Sequence, residues 1–68
     1  MRTELTKRES EVIALVAKGL TDAEIAGRLG IALSTVSMHT RTAYAKLQAR
    51  NRVEATLSWL RMTGKIMA

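Results

Sequence analysis

Few residues in this chain could do covalent chemistry, and they do not converge. His39 stands alone among 68 residues, and there is no cysteine. Catalysis by His39 would need a nucleophile or an orienting carboxylate, and no second titratable cluster accompanies it. A single histidine without cysteine or a second histidine nearby is not a metal site. Glu9 and Glu11 sit two apart on a helical segment and diverge, so they are not a general acid–base pair. No glycine-rich phosphate loop is present. The reading is therefore a non-enzyme with no cofactor and no metal. What remains is cationic chemistry. Residues 25–53 carry Arg28, Arg41, Lys46, Arg50 and Arg52 and no acid. Residues 1–24 carry four bases and five acids, so most of the net +5 falls on the later stretch. An acid-free basic run suits phosphate binding.

The elements that must position those cations follow from spacing. Thr21 to Leu47 reads as a short helix, a tight turn and a longer helix. Leu20, Ile25, Ala26 and Leu29 fill one face of the short helix. Gly30 can take the left-handed cap conformation. In the run from Leu33, the residues Val36, Thr40, Ala43 and Leu47 share one arc. Ser34, Ser37, Met38, Arg41, Ala45 and Gln48 face the other way. One buried stripe and one small, polar, weakly basic face suit insertion into a DNA major groove. There, Arg41 can make bidentate bonds to guanine, Met38 can touch a thymine methyl, and Ser37 can donate or accept. Lys46, on the flank with Thr35 and His39, suits a phosphate as a point charge.

The rest of the chain supports a small all-helical domain. Proline is absent and aromatic content is 3%, with frequent alanine and leucine. One domain spans 1–68, with 1–4 and 65–68 expected to be loose. Thr6 with Glu9 and Thr21 with Glu24 have capping-box spacing, and Asn51 with Glu54 forms a third capping pair. The expected helices cover about 7–18, 22–29, 33–48 and 52–63. Val12, Ile13 and Val16 form the core stripe of the first, with Leu15 and Ala17 on its margins. Lys18 and Gly19 close it. Ala32 offers no side-chain acceptor, so the third helix is weakly capped. The fourth helix has two apolar stripes, Val53–Leu57–Leu60 and Ala55–Trp59–Met62. The second is assigned to a dimer contact. No apolar run is long enough for a membrane span and no signal-peptide pattern appears, so a cytoplasmic protein is expected.

These residues resemble, in order and spacing, the LuxR-type (GerE-type) helix-turn-helix domain of bacterial transcription regulators. The resemblance is carried by Leu5-Thr6-Lys7-Arg8-Glu9, Glu11-Val12-Ile13 and Ala17-Lys18-Gly19-Leu20-Thr21. It continues through Glu24-Ile25-Ala26, Leu29, Ile31, Thr35-Val36, His39, Lys46-Leu47 and Asn51-Arg52-Val53-Glu54-Ala55. It implies a four-helix fold whose second and third helices form the helix-turn-helix. It implies that Ser37, Met38 and Arg41 face base edges and that Thr35, Lys46 and the start of the second helix at Thr21 lie near phosphates. Ser34 and Arg50 complete the candidate phosphate set. It also implies a homodimer, formed through the fourth helix, on double-stranded DNA.

Several positions depart from the family pattern. Ala23, Ser34 and Ser37 are neutral where relatives often carry lysine or arginine. Ala32 replaces a Ser or Thr cap, and Ala43 replaces a larger aliphatic residue. Fewer cationic contacts mean weaker binding and a shallower salt dependence. Two functions are therefore weighed. The first is sequence-specific DNA binding in transcriptional control. The alternative is a protein-interaction module that keeps the fold, binds DNA weakly and acts through a partner regulator or RNA polymerase.

Overall fold

The structure, a computed structural model, describes residues 4–64. The expectation of loose ends at 1–3 and 65–68 lies outside the described residues. Four helices follow in order: α1 (Lys7–Ala17), α2 (Asp22–Leu29), α3 (Leu33–Leu47) and α4 (Arg52–Met62). There is no strand among the described residues, and the fold is all-α. Each helix begins where its cap residue stands. The Thr6 hydroxyl accepts from the Glu9 amide at 3.1 Å, and the Glu9 carboxylate accepts from the Thr6 amide at 2.9 Å. Thr21 and Glu24 repeat the exchange at 3.2 and 2.8 Å. Each box satisfies two of the backbone donors that a helix start leaves unbonded.

The third start is bare, as expected, because Ala32 makes no side-chain cap bond to α3. The fourth differs in one detail. The Asn51 side chain accepts from the Glu54 amide at 2.9 Å, but the Glu54 carboxylate passes Asn51 and takes the Arg50 amide at 2.7 Å. Asn51 is extended, with φ −160°. The reciprocal partner is therefore one residue earlier than in a capping box.

Gly30 ends α2 at φ 69°, and the Ile31 amide reaches back to the Ala26 carbonyl at 3.0 Å. This closes the tight turn into α3. Gln48 takes the same left-handed conformation at the end of α3, at φ 55°. Its Ala49 neighbour donates to the Tyr44 carbonyl at 2.9 Å. The sequence reading put Gln48 on the outer face of the helix, but the residue is its terminus. A side chain in this region is disfavoured by about 1–2 kcal/mol.

The core is small and lies around α1, which touches all three other helices. Val12, Ile13, Ile25, Val36, Ala43 and Ala55 are fully enclosed. Leu15, expected on the margin of α1, is also buried. The compact Ala43 leaves room beside α1, and half-buried Tyr44 and Leu47 pack against the core. Helix α2 packs on α1 and α3, whereas the backbones of α2 and α4 stay apart.

Helix α4 is rotated relative to the sequence expectation. Ala55 is 0% exposed, and Trp59 packs against the core. Val53 at 68% and Leu57 at 37% are the exposed pair, with Met62 at 59%. Of the stripe assigned to a dimer surface, Ala55 is enclosed and cannot reach a second copy, Trp59 is half-buried against the core, and Met62 is open. Among the described residues, no helix is long and apolar enough to cross a membrane.

Candidate nucleic-acid interface

The outer face of α3 is the functional candidate, and the fold exposes it. Its inner stripe is Val36, Thr40 and Ala43, all buried. The Thr40 hydroxyl donates to the Ser37 carbonyl at 2.9 Å, so its polarity is satisfied within the helix. Opposite them, Ser34, Met38, Arg41, Thr42 and Ala45 are exposed. From Ser34 to Ala45 this strip runs about 16 Å at 1.5 Å per residue, the rise of about five base-pair steps. Met38 is 53% exposed. Ser37, expected among the base-facing residues, is half-buried at the edge of the strip. Thr42 is an exposed polar residue that the sequence reading passed over. Its place one turn after Met38 was a signal that helical spacing could have supplied.

The cations behave differently from their sequence pattern. Three of the five in the acid-free stretch are paired with acids from outside it, two of them across the fold. The Lys46 ammonium lies 2.8 Å from a Glu9 oxygen, with side-chain exposures of 21% and 7%. The Arg52 guanidinium meets Asp22 at 3.4 Å and also donates to the Leu20 carbonyl. Arg50 meets Glu54 at 3.4 Å. Arg28 and Arg41 have no ion pair among the described residues.

These pairings sort the expected phosphate residues. Arg50 is almost fully exposed, and its long contact with Glu54 competes with water, so the guanidinium can exchange to another anion. Lys46 is held by a buried carboxylate, a pairing that ties α3 to α1. Thr21 is exposed, with its backbone amide and its hydroxyl both engaged by the Glu24 carboxylate. Ser34 is exposed in the first turn of α3, and Thr35 beside it is half-buried. His39 is half-buried on the same helix as Thr35 and Lys46.

Three carboxylates have pKa values held below their ordinary range. The Lys46 hydrogen bond, then the Thr6 amide, hold Glu9 below 4.5, against the opposing effect of burial. The Thr21 amide lowers Glu24, and the Arg50 amide lowers Glu54. All three remain ionised at neutral pH, and all three serve helix starts. None of them stands on the exposed strip of α3, which carries no negative charge.

A turn-linked helix pair with its second helix exposed along an acid-free face is the architecture of a helix-turn-helix DNA-binding domain. Residues 3–59 match the family described as GerE, bacterial regulatory proteins, luxR family, and the chain belongs to that family. It is 42% identical over 60 residues to the nitrate/nitrite response regulator protein NarP of Escherichia coli K12, covering 88% of this chain and 28% of NarP. It is 41% identical over 54 residues to NarL of the same strain, covering 79% of this chain and 25% of NarL. The C4-dicarboxylate transport transcriptional regulatory protein DctR of Rhodobacter capsulatus is 51% identical over 43 residues, 63% of this chain and 22% of DctR. The chain thus spans about a quarter of the length of these regulators and is a DNA-binding domain of the LuxR family of transcription regulators.

Proposed function

We propose that this chain reads double-stranded DNA sequence-specifically in transcription regulation, laying α3 in the major groove and pairing with a second copy through α4. The observation that carries this reading is the exposed strip of α3, which holds one unpaired guanidinium, one flexible apolar side chain and small polar residues, with no acid. Arg41 recognises a guanine edge and Met38 a thymine methyl, with Ser37 contributing from the side. Thr21, Ser34, Thr35 and Arg50 meet phosphates, and Lys46 fixes the angle at which α3 is presented. The dimer contact is the outward stripe of α4, Val53 and Leu57. Val53 and Leu57 line a shallow groove of about 290 Å³ with Val16, Ala17 and Gly19. A second copy of α4 would cover this otherwise wet apolar surface.

The small number of unpaired cations supports weak binding by a single domain, strengthened by pairing on a two-fold site. Arg41→Ala tests the reading. Each good bidentate contact is worth about 1–3 kcal/mol of discrimination, so the variant should lose at least about fivefold in affinity per half-site of the preferred DNA. It should also relax specificity at one base pair per half-site, while binding to unrelated DNA changes little. Equal affinity of both proteins for that site would refute the assignment. A partner complex with a regulator or polymerase subunit, insensitive to Arg41→Ala, would favour the interaction-module reading.

A further inference from the structure

Arg52 joins α4 to the start of the helix-turn-helix. The backbones of α2 and α4 do not approach each other. The guanidinium of Arg52, in the first turn of α4, nevertheless reaches the Leu20 carbonyl in the α1–α2 turn and Asp22 at the first position of α2. The Arg52 carbonyl in turn accepts from the Thr56 hydroxyl at 2.9 Å. The same residue lines the outward groove beside Val53, Thr56 and Leu57. One side chain therefore has its tip on the DNA-reading unit and its stem on the surface assigned above to the second copy. An arginine suits this position because its planar fork can serve two acceptors at once, which an ammonium at the end of a flexible stem does less rigidly.

We infer that Arg52 is a positioning residue that fixes the orientation of the helix-turn-helix on α4, and so sets the separation of the two reading helices in the dimer. This rests on the proposed dimeric DNA-binding reading. Without the tie, α2 is held to α4 only through α1 and α3, which both pack on α4, and the angle between the start of the reading unit and the dimer axis gains freedom. The two half-sites would then be recognised over a wider range of separations. Lost packing alone has a different signature, since it weakens binding equally at every separation.

The test uses duplexes carrying the preferred half-site as an inverted repeat, with the spacer varied by single base pairs. Binding of the wild-type chain, Arg52→Met and Arg52→Lys is measured well below the unfolding temperature, with Trp59 fluorescence verifying the fold. The wild-type chain should prefer one spacer by at least tenfold over its neighbours. Arg52→Met should narrow that preference to about threefold or less, and Arg52→Lys should fall between them. Folded variants that keep the full tenfold preference would overturn the inference. Should Arg52→Met fail to fold, Arg52→Lys decides by the same criterion. A wild-type chain that binds single half-sites as well as paired ones would overturn the dimeric reading and this inference with it.

Discussion

Replacing Lys46 with methionine tests whether the charge is an anchor or a DNA ligand. The substitution removes the ammonium 2.8 Å from Glu9 and leaves a carboxylate with 7% side-chain exposure bonded only to the neutral Thr6. Removing one partner of a buried ion pair costs about 3–5 kcal/mol. Here the lysine side chain is 21% exposed, so water can reach part of the gap, and about 2–3 kcal/mol is expected. A domain of this size has about 3–10 kcal/mol in total, and the loss should lower the melting temperature by about 10–20 °C. The double variant Lys46→Met with Glu9→Gln should recover part of the loss, because no charge is then left buried.

The pH dependence gives an independent check. The folded-state pKa of Glu9 lies below its ordinary value of 4.5, chiefly through Lys46. The associated stability is present above the unfolded pKa and is lost as pH falls through the folded value. In Lys46→Met the largest cause of that depression is gone. The gap between variant and wild type should therefore be widest at pH 7 and shrink below about pH 4.5. Urea unfolding at several pH values measures it. A gap under 1 kcal/mol at pH 7, or one that stays constant down to pH 3, would refute the anchor role.

Three further outcomes are expected. Gln48→Gly should raise stability by about 0.5–1 kcal/mol in thermal unfolding, because glycine occupies the left-handed conformation without the side-chain penalty; a fall in melting temperature would contradict this. Ala32→Ser should stabilise α3 by about 1 kcal/mol by supplying the missing cap acceptor, visible as slower amide exchange in the first turn of α3, and unchanged exchange would count against it. Leu57→Glu places a charge in the outward groove and should abolish self-association in sedimentation while preserving the fold; an unchanged association constant would remove α4 from the interface.

The helices and their starts were legible because their signals are local. Thr6 with Glu9 and Thr21 with Glu24 are three residues apart, and Gly30 is the only residue needed to announce the turn after α2. The buried and exposed stripes of α3 were legible for a related reason, since Val36, Thr40 and Ala43 recur at helical spacing. The rotation of α4 was not. Both of its stripes are apolar, and which one turns inward depends on how closely α4 approaches α1. Ala55 permits that approach, a fact that lies in the packing and not in the periodicity of α4.

Charge was the least legible property. Lys46 and Glu9 are 37 residues apart, and Arg52 and Asp22 are 30 apart, so a run without acids gave no sign that its cations were already paired. The consequence is quantitative. If Arg28 alone met phosphates, with Arg41 on a base, a dimer would show a log–log salt slope of about −2, against about −9 for all five cations of each chain. Arg50, almost fully exposed, moves the slope between these limits when it exchanges from Glu54 to DNA.

The measurement that addresses the central claim most directly is selection of bound DNA from a random duplex pool by this chain, at two salt concentrations. The account predicts an enriched two-fold-symmetric motif with a guanine in each half-site assigned to Arg41, lost in Arg41→Ala, and a salt slope nearer −2 than −9. Salt-sensitive binding with no enriched motif would contradict it, because the outer face of α3 would then be contacting phosphates without reading bases.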